Sequence, residues 1–122
     1  MNARTILTAL SAGRTFFGLL MTLAPRFAAE RWFGAGGTAA ESVALMRVAG
    51  VRDAAMGVGG LVAARSGADP RPWLGGGVVA DGTDVYATLR AEGVPGSNKA
   101  SAIVVALGAV AMGVAGLLAE DD

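Results

Sequence analysis

Twenty consecutive residues without a charge, Ala100 to Ala119 (ASAIVVALGAVAMGVAGLLA), constrain this chain more than any other feature in it. As a helix rising about 1.5 Å per residue, such a run is about 30 Å long, the thickness of a bilayer's hydrocarbon core. Glu120, Asp121 and Asp122 end it abruptly. The whole chain has 122 residues, room for one domain. Its charged fraction is 16%, against roughly 25% in soluble domains. Its mean hydropathy is +0.53, so there is ample apolar surface to bury and disorder is excluded. There is no cysteine and no histidine, which removes disulfides, a thiol nucleophile and any Cys/His zinc site. Ten basic residues balance ten acidic ones without a basic run, so nucleic acid is not an expected partner.

Three further segments have spanning length but carry internal charges. The first covers about 5–23, with Arg14 in its middle. The second covers about 42–64 and contains Arg47, Arg52 and Asp53. The third covers about 72–89 and holds Asp81 and Asp84, with Pro72 suited to a helix's first turn. Compact turns separate them at 66–72 and 92–99. The longer connection contains Arg26-Phe27-Ala28-Ala29-Glu30-Arg31-Trp32-Phe33, which reads as a short interfacial helix. Trp73, at the opposite membrane face from Trp32, fits the second aromatic belt. Arg14 splits the apolar stretch that a cleavable signal would need, so the first segment is read as a span. A soluble Ala/Gly-rich bundle is the other reading of this composition, and the charge-free last span argues against it.

The expected fold is therefore all-α, a single membrane domain over 1–122 built as a four-transmembrane-helix bundle with spans at about 5–23, 42–64, 72–89 and 100–119. Orientation is not legible. Arg4, Arg65 and Arg71 flank one side and Arg26, Arg31, Arg90 and Lys99 the other, too even for the positive-inside rule.

The charges inside the spans are the unusual chemistry. Arg14, Arg52, Asp53 and Asp81 fall near the centres of three helices, and Asp84 lies one turn beyond. Each would cost about 2.5–3.5 kcal/mol facing lipid, and five together upwards of about 12 kcal/mol. They should face one another inside the bundle. Arg47 stands about 9 Å from the centre by helical rise and can snorkel to the interface. With it included, three positive charges meet three negative ones.

Helical angles add detail. Asp81 and Asp84 share a face with Gly77 and Thr88, so either an arginine lies between them or one of them holds its proton. Arg52 and Asp53 point about 100° apart, so side-by-side neutralisation is not expected. Asp53 is instead expected to reach Arg14. Small residues supply close packing, at Gly50, Ala54, Gly57 and Gly60 in the second span and at Ala102, Ala106, Ala109, Gly113 and Gly116 in the last. Gly75-Gly76-Gly77 could loosen the third helix and line a cavity. Gly57-Val58-Gly59-Gly60 is no nucleotide loop, lacking a strand-turn-helix context.

The segment Arg47-Val48-Ala49-Gly50-Val51-Arg52-Asp53-Ala54-Ala55-Met56-Gly57, followed by Asp81-Gly82-Thr83-Asp84, resembles small actinobacterial four-helix membrane proteins of uncharacterised function. These are distantly similar to DoxX-like proteins. The resemblance implies a four-helix membrane bundle and supplies no activity.

Asp81, Asp84 and Asp53 are thus the candidate acid/base or proton-handling groups, and Arg14, Arg52 and Arg47 the candidate binding groups. No cofactor or metal is expected. Three functions compete for a multi-pass protein of the cell membrane. It binds or moves a small polar or anionic solute, with or without a coupled proton. Alternatively, it is a membrane enzyme using Asp/Arg acid–base chemistry on a lipid-like or terpenoid substrate. As a third reading, it is a structural or accessory subunit held by ion pairs. Lipid, a small-molecule ligand and a second copy in a homodimer are the partners these readings allow.

Overall fold

The computed structural model describes residues 1–120; Asp121 and Asp122, expected to end the last span, lie outside the described residues. Every regular element in that range is helical: α1 (Ala3–Leu23), α2 (Pro25–Phe33), a 3-10 turn (Ala35–Thr38), α3 (Ala40–Ser66), α4 (Arg71–Arg90) and α5 (Gly96–Leu118). Local chemistry sets the boundaries. The Asn2 side chain accepts a hydrogen bond from the Thr5 amide at 2.8 Å and starts α1. Pro25 opens α2, where its missing N–H costs nothing. Gly67 takes the left-handed conformation (φ 78°) that ends α3. Helix α5 begins at Gly96, right after Pro95, so 96–99 belong to its first turn and not to the preceding loop as expected.

The Arg4 guanidinium, at the start of α1, donates to the carbonyls of Ala64 at 3.1 Å and Ala68 at 3.2 Å, at the end of α3. Those carbonyls lack helical partners, and the cation also complements the helix dipole. This cap makes α1 and α3 antiparallel. At the other end, Trp32 Nε1 of α2 donates to Thr88 Oγ1 of α4 at 3.2 Å. The Asn98 side-chain amide of α5 donates to the Arg31 carbonyl at 3.1 Å. The four long helices thus alternate in direction, with α2 bound to one end of the bundle.

Two close pairs build it. Helices α1 and α3 meet backbone to backbone through Gly18, Gly50 and Gly57, and Gly60 seats the Ser11 side chain; an added methyl group at any of the four would overlap the facing helix. Ala102, Ala106, Gly113 and Gly116 of α5 are buried, with Gly113 against Val78 and Gly116 between Ile6 and Leu74. The seam between α3 and α4 is different: their backbones approach at few points and long side chains span the gap.

Large apolar side chains face outward on all four long helices. Phe16 and Phe17 of α1, Val51 and Val58 of α3, Val79 and Leu89 of α4, and Val104 and Val105 of α5 are all exposed. Only α1 and α5 are long and apolar enough to qualify by composition as membrane spans. Just 22% of each of those two spans is buried, unlike the core helix of a soluble protein. Helices α3 and α4, charged at their centres, do not reach that apolarity, so the expected four spans are met here as an all-helical bundle with two qualifying helices.

Candidate functional site

Five of the six candidate side chains meet where α1, α3 and α4 face one another. Arg14 donates from Nη1 to Asp53 Oδ1 at 3.1 Å and from Nη2 to Asp81 Oδ2 at 2.6 Å. Arg52 donates from Nε to Asp53 Oδ1 at 3.1 Å and from Nη2 to Asp84 Oδ2 at 3.1 Å. The result is a ladder, Asp81–Arg14–Asp53–Arg52–Asp84, in which carboxylates and guanidiniums alternate. Each helix contributes from near its own midpoint, so the expected common depth is observed.

The ladder has an inner and an outer end. Side-chain exposure is 11% for Arg14 and Asp81 and 12% for Asp53, but 36% for Arg52 and 28% for Asp84. The Arg52–Asp84 rung therefore looks out through the loose α3–α4 seam, while Arg14 and Asp81 are enclosed.

Several expectations change. Arg52 does bond Asp53, its neighbour in sequence, because the long arginine stem carries the guanidinium back across the 100° between the two Cα–Cβ directions. Asp81 and Asp84 do not share one arginine; each has its own guanidinium. Arg47 is exposed and forms no ion pair among the described residues, which takes it out of the cluster. The charge balance is then two positive against three negative. Trp73 is partly buried. Its ring lies on Gly59, filling the seam beyond the ladder, where a methyl group would overlap it. Gly75 to Gly77 do not interrupt α4, but Gly77 leaves room for the Arg14 guanidinium, 3.2 Å from where its Cβ would stand.

A cavity of about 20 Å³ adjoins the inner end, lined by Ser11, Arg14, Met56, Trp73, Gly77 and Asp81 among others. Ser11 is not among the residues the sequence singles out. Its place one turn before Arg14 on the same face was the signal that would have found it. No cluster of three or more acidic side chains among the described residues is placed to hold a metal ion, and Asp53, Asp81 and Asp84 are each turned onto a guanidinium.

The chain matches no family model, no curated protein and no solved structure.

Proposed function

We propose that this is a multi-pass protein of the cell membrane, four spanning helices around an Arg/Asp ladder that takes up a proton or a small cation and passes it across. The charge count carries this reading. Three carboxylates and two guanidiniums leave one net negative charge amid apolar helices, an expensive state unless a positive charge joins it. Both guanidiniums already bond two carboxylates each, so an anionic solute would have to displace a partner, whereas a proton or cation would not. The central charges of α3 and α4, Arg52, Asp53, Asp81 and Asp84, are paired inside the bundle, while Arg47 is free to reach the interface. The outward faces of both helices, with Val48, Val51, Val58, Val62, Val79 and Leu89, suit lipid. The resemblance to small four-helix membrane proteins agrees with this arrangement.

A second reading, the structural subunit, draws on one observation: every member of the ladder has an ion-pair partner. A lipid-like or terpenoid substrate draws the least support, since the cavity beside Asp81 has the volume of about one water.

Reconstitution into liposomes carrying a trapped pH indicator separates the first two. Under an imposed potassium-valinomycin potential, vesicles with the parent protein should change internal pH several-fold faster than protein-free vesicles. Asp81→Asn and Asp84→Asn should abolish the excess while remaining folded by circular dichroism, and Arg65→Ala should retain it. A parent flux equal to that of empty vesicles, or folded Asn variants with full flux, would sink the proposal in favour of the structural reading.

A further inference from the structure

The cavity at the inner end of the ladder carries more than its size suggests. Its volume of about 20 Å³ suffices for one water, which needs two to four polar partners to be held in a protein interior. Three polar side chains line it: Ser11, Arg14 and Asp81. Ser11 and Asp81 are 4% and 8% exposed. Asp81 uses Oδ2 toward Arg14, and among the described residues Oδ1 accepts no hydrogen bond. Hydroxyl, guanidinium and carboxylate together offer both donors and an acceptor.

What closes the cavity is equally specific. Between Trp73 and the ladder, α4 presents Gly75, Gly76 and Gly77, which carry no side chains. Toward the end where α1 begins the cavity is lined by the Trp73 indole with Leu7, Leu10, Met56 and Leu74. The indole lies on bare backbone at Gly59, so no side chain on α3 locks its face at that point. At the opposite end the helices are tied by hydrogen bonds, Trp32 to Thr88 and Asn98 to Arg31. At the end where α1 begins, Arg4 likewise ties α1 to the α3 carbonyls, while the Trp73 indole packs on Gly59.

We infer that the Ser11/Arg14/Asp81 cavity is a water-binding site that delivers protons to Asp81, and that Trp73, lifting off Gly59, is the door admitting water from the end where α1 begins. The step balances simply. A hydronium entering the cavity transfers its proton to Asp81 Oδ1, leaving a neutral water and a neutral carboxyl, and the ladder's extra negative charge is cancelled. This inference rests on the proton-handling reading and specifies its point of entry.

The chain has no cysteine, so Ser11→Cys supplies a single reporter in the cavity. Its modification by a charged, membrane-impermeant methanethiosulfonate is followed in proteoliposomes of uniform orientation, with reagent on one side at a time. Trp73→Ala should raise the rate at least tenfold, from the side where α1 begins only. Gly59→Ala, which displaces the indole without deleting it, should do the same. Trp32→Ala should leave the rate unchanged. Val78→Ala, which enlarges the same cavity away from the door, should change it less than threefold. Equal acceleration by Val78→Ala, access from both sides, or no acceleration in folded Trp73→Ala and Gly59→Ala would overturn the door. The thiol readout involves no flux, so it can fail while the Asp81→Asn flux result stands, and the reverse.

Discussion

Asp53 holds the ladder together through one atom, since its Oδ1 accepts from both Arg14 and Arg52. The two end carboxylates each depend on a single arginine. Arg14 is the only partner of Asp81 and one of two partners of Asp53, and it is well buried. Removing one member of a buried pair leaves its partners charged and desolvated, at a cost of about 3–5 kcal/mol. Arg14→Met should therefore lower stability by about that amount, measured by denaturant unfolding in detergent micelles. Asp81→Asn added to it should recover part of the loss, because it removes one stranded charge. A coupling within about 0.5 kcal/mol of zero in this double-mutant cycle would mean that the two side chains act independently. The membership of this cluster was legible in the sequence: mid-span charges on three helices had nowhere inexpensive to go except toward one another. The pairing was not. Arg52 bends back to its own neighbour, and a stem with four rotatable bonds is not constrained by Cα–Cβ directions.

At the scale of elements, helix ends were written plainly by Asn2, Pro25, Gly67 and Pro95, and observed spans depart from expectation by a few residues. Helix rotation was harder to read. In a bundle with apolar side chains outside and small residues inside, α3 shows no conventional apolar stripe toward the core. What fixes its rotation is Gly50, Gly57 and Gly60 against α1, and the partner glycine, Gly18, stood out only once the helices were together. Close approach of this kind is the means by which small residues drive helix association in lipid. Gly57→Ala would press a methyl group onto Thr15 and the Ser11 carbonyl, both part of α1. A loss of about 1–3 kcal/mol is expected from such overpacking. Gly108 provides the contrast, since its added Cβ would meet nothing within 4 Å. Gly108→Ala should be neutral or stabilising by up to about 1 kcal/mol, because alanine loses less backbone entropy in a helix. Thermal melts of both variants in the same detergent decide this. Equal effects would mean that the α1–α3 contact is not the close one.

The whole molecule places opposite features at its two ends. One end gathers the start of α1, the end of α3 and the start of α4, stitched by Arg4 onto the α3 carbonyls. The other gathers α2, the end of α4 and the start of α5. If all four long helices cross the bilayer, the chain must place Asn2 and Ala68 on one side and Gly36 and Gly93 on the other. Were only α1 and α5 to cross, α3 and α4 would have to leave the membrane, tearing the ladder from Arg14 and exposing Val48, Val51, Val58 and Val62 to water. The ladder and the topology therefore stand or fall together. Single cysteines at those four positions, labelled with impermeant maleimide in intact cells and after permeabilisation, should divide two against two. The pair at 2 and 68 should react together under one condition, and the pair at 36 and 93 under the other. Division of 2 from 68 would overturn the four-span arrangement, and with it a membrane-centred role for Arg52 and Asp84. Agreement would place the ladder's one net negative charge at mid-bilayer, in a chain that is neutral overall, where only a proton or a small cation could balance it at low cost.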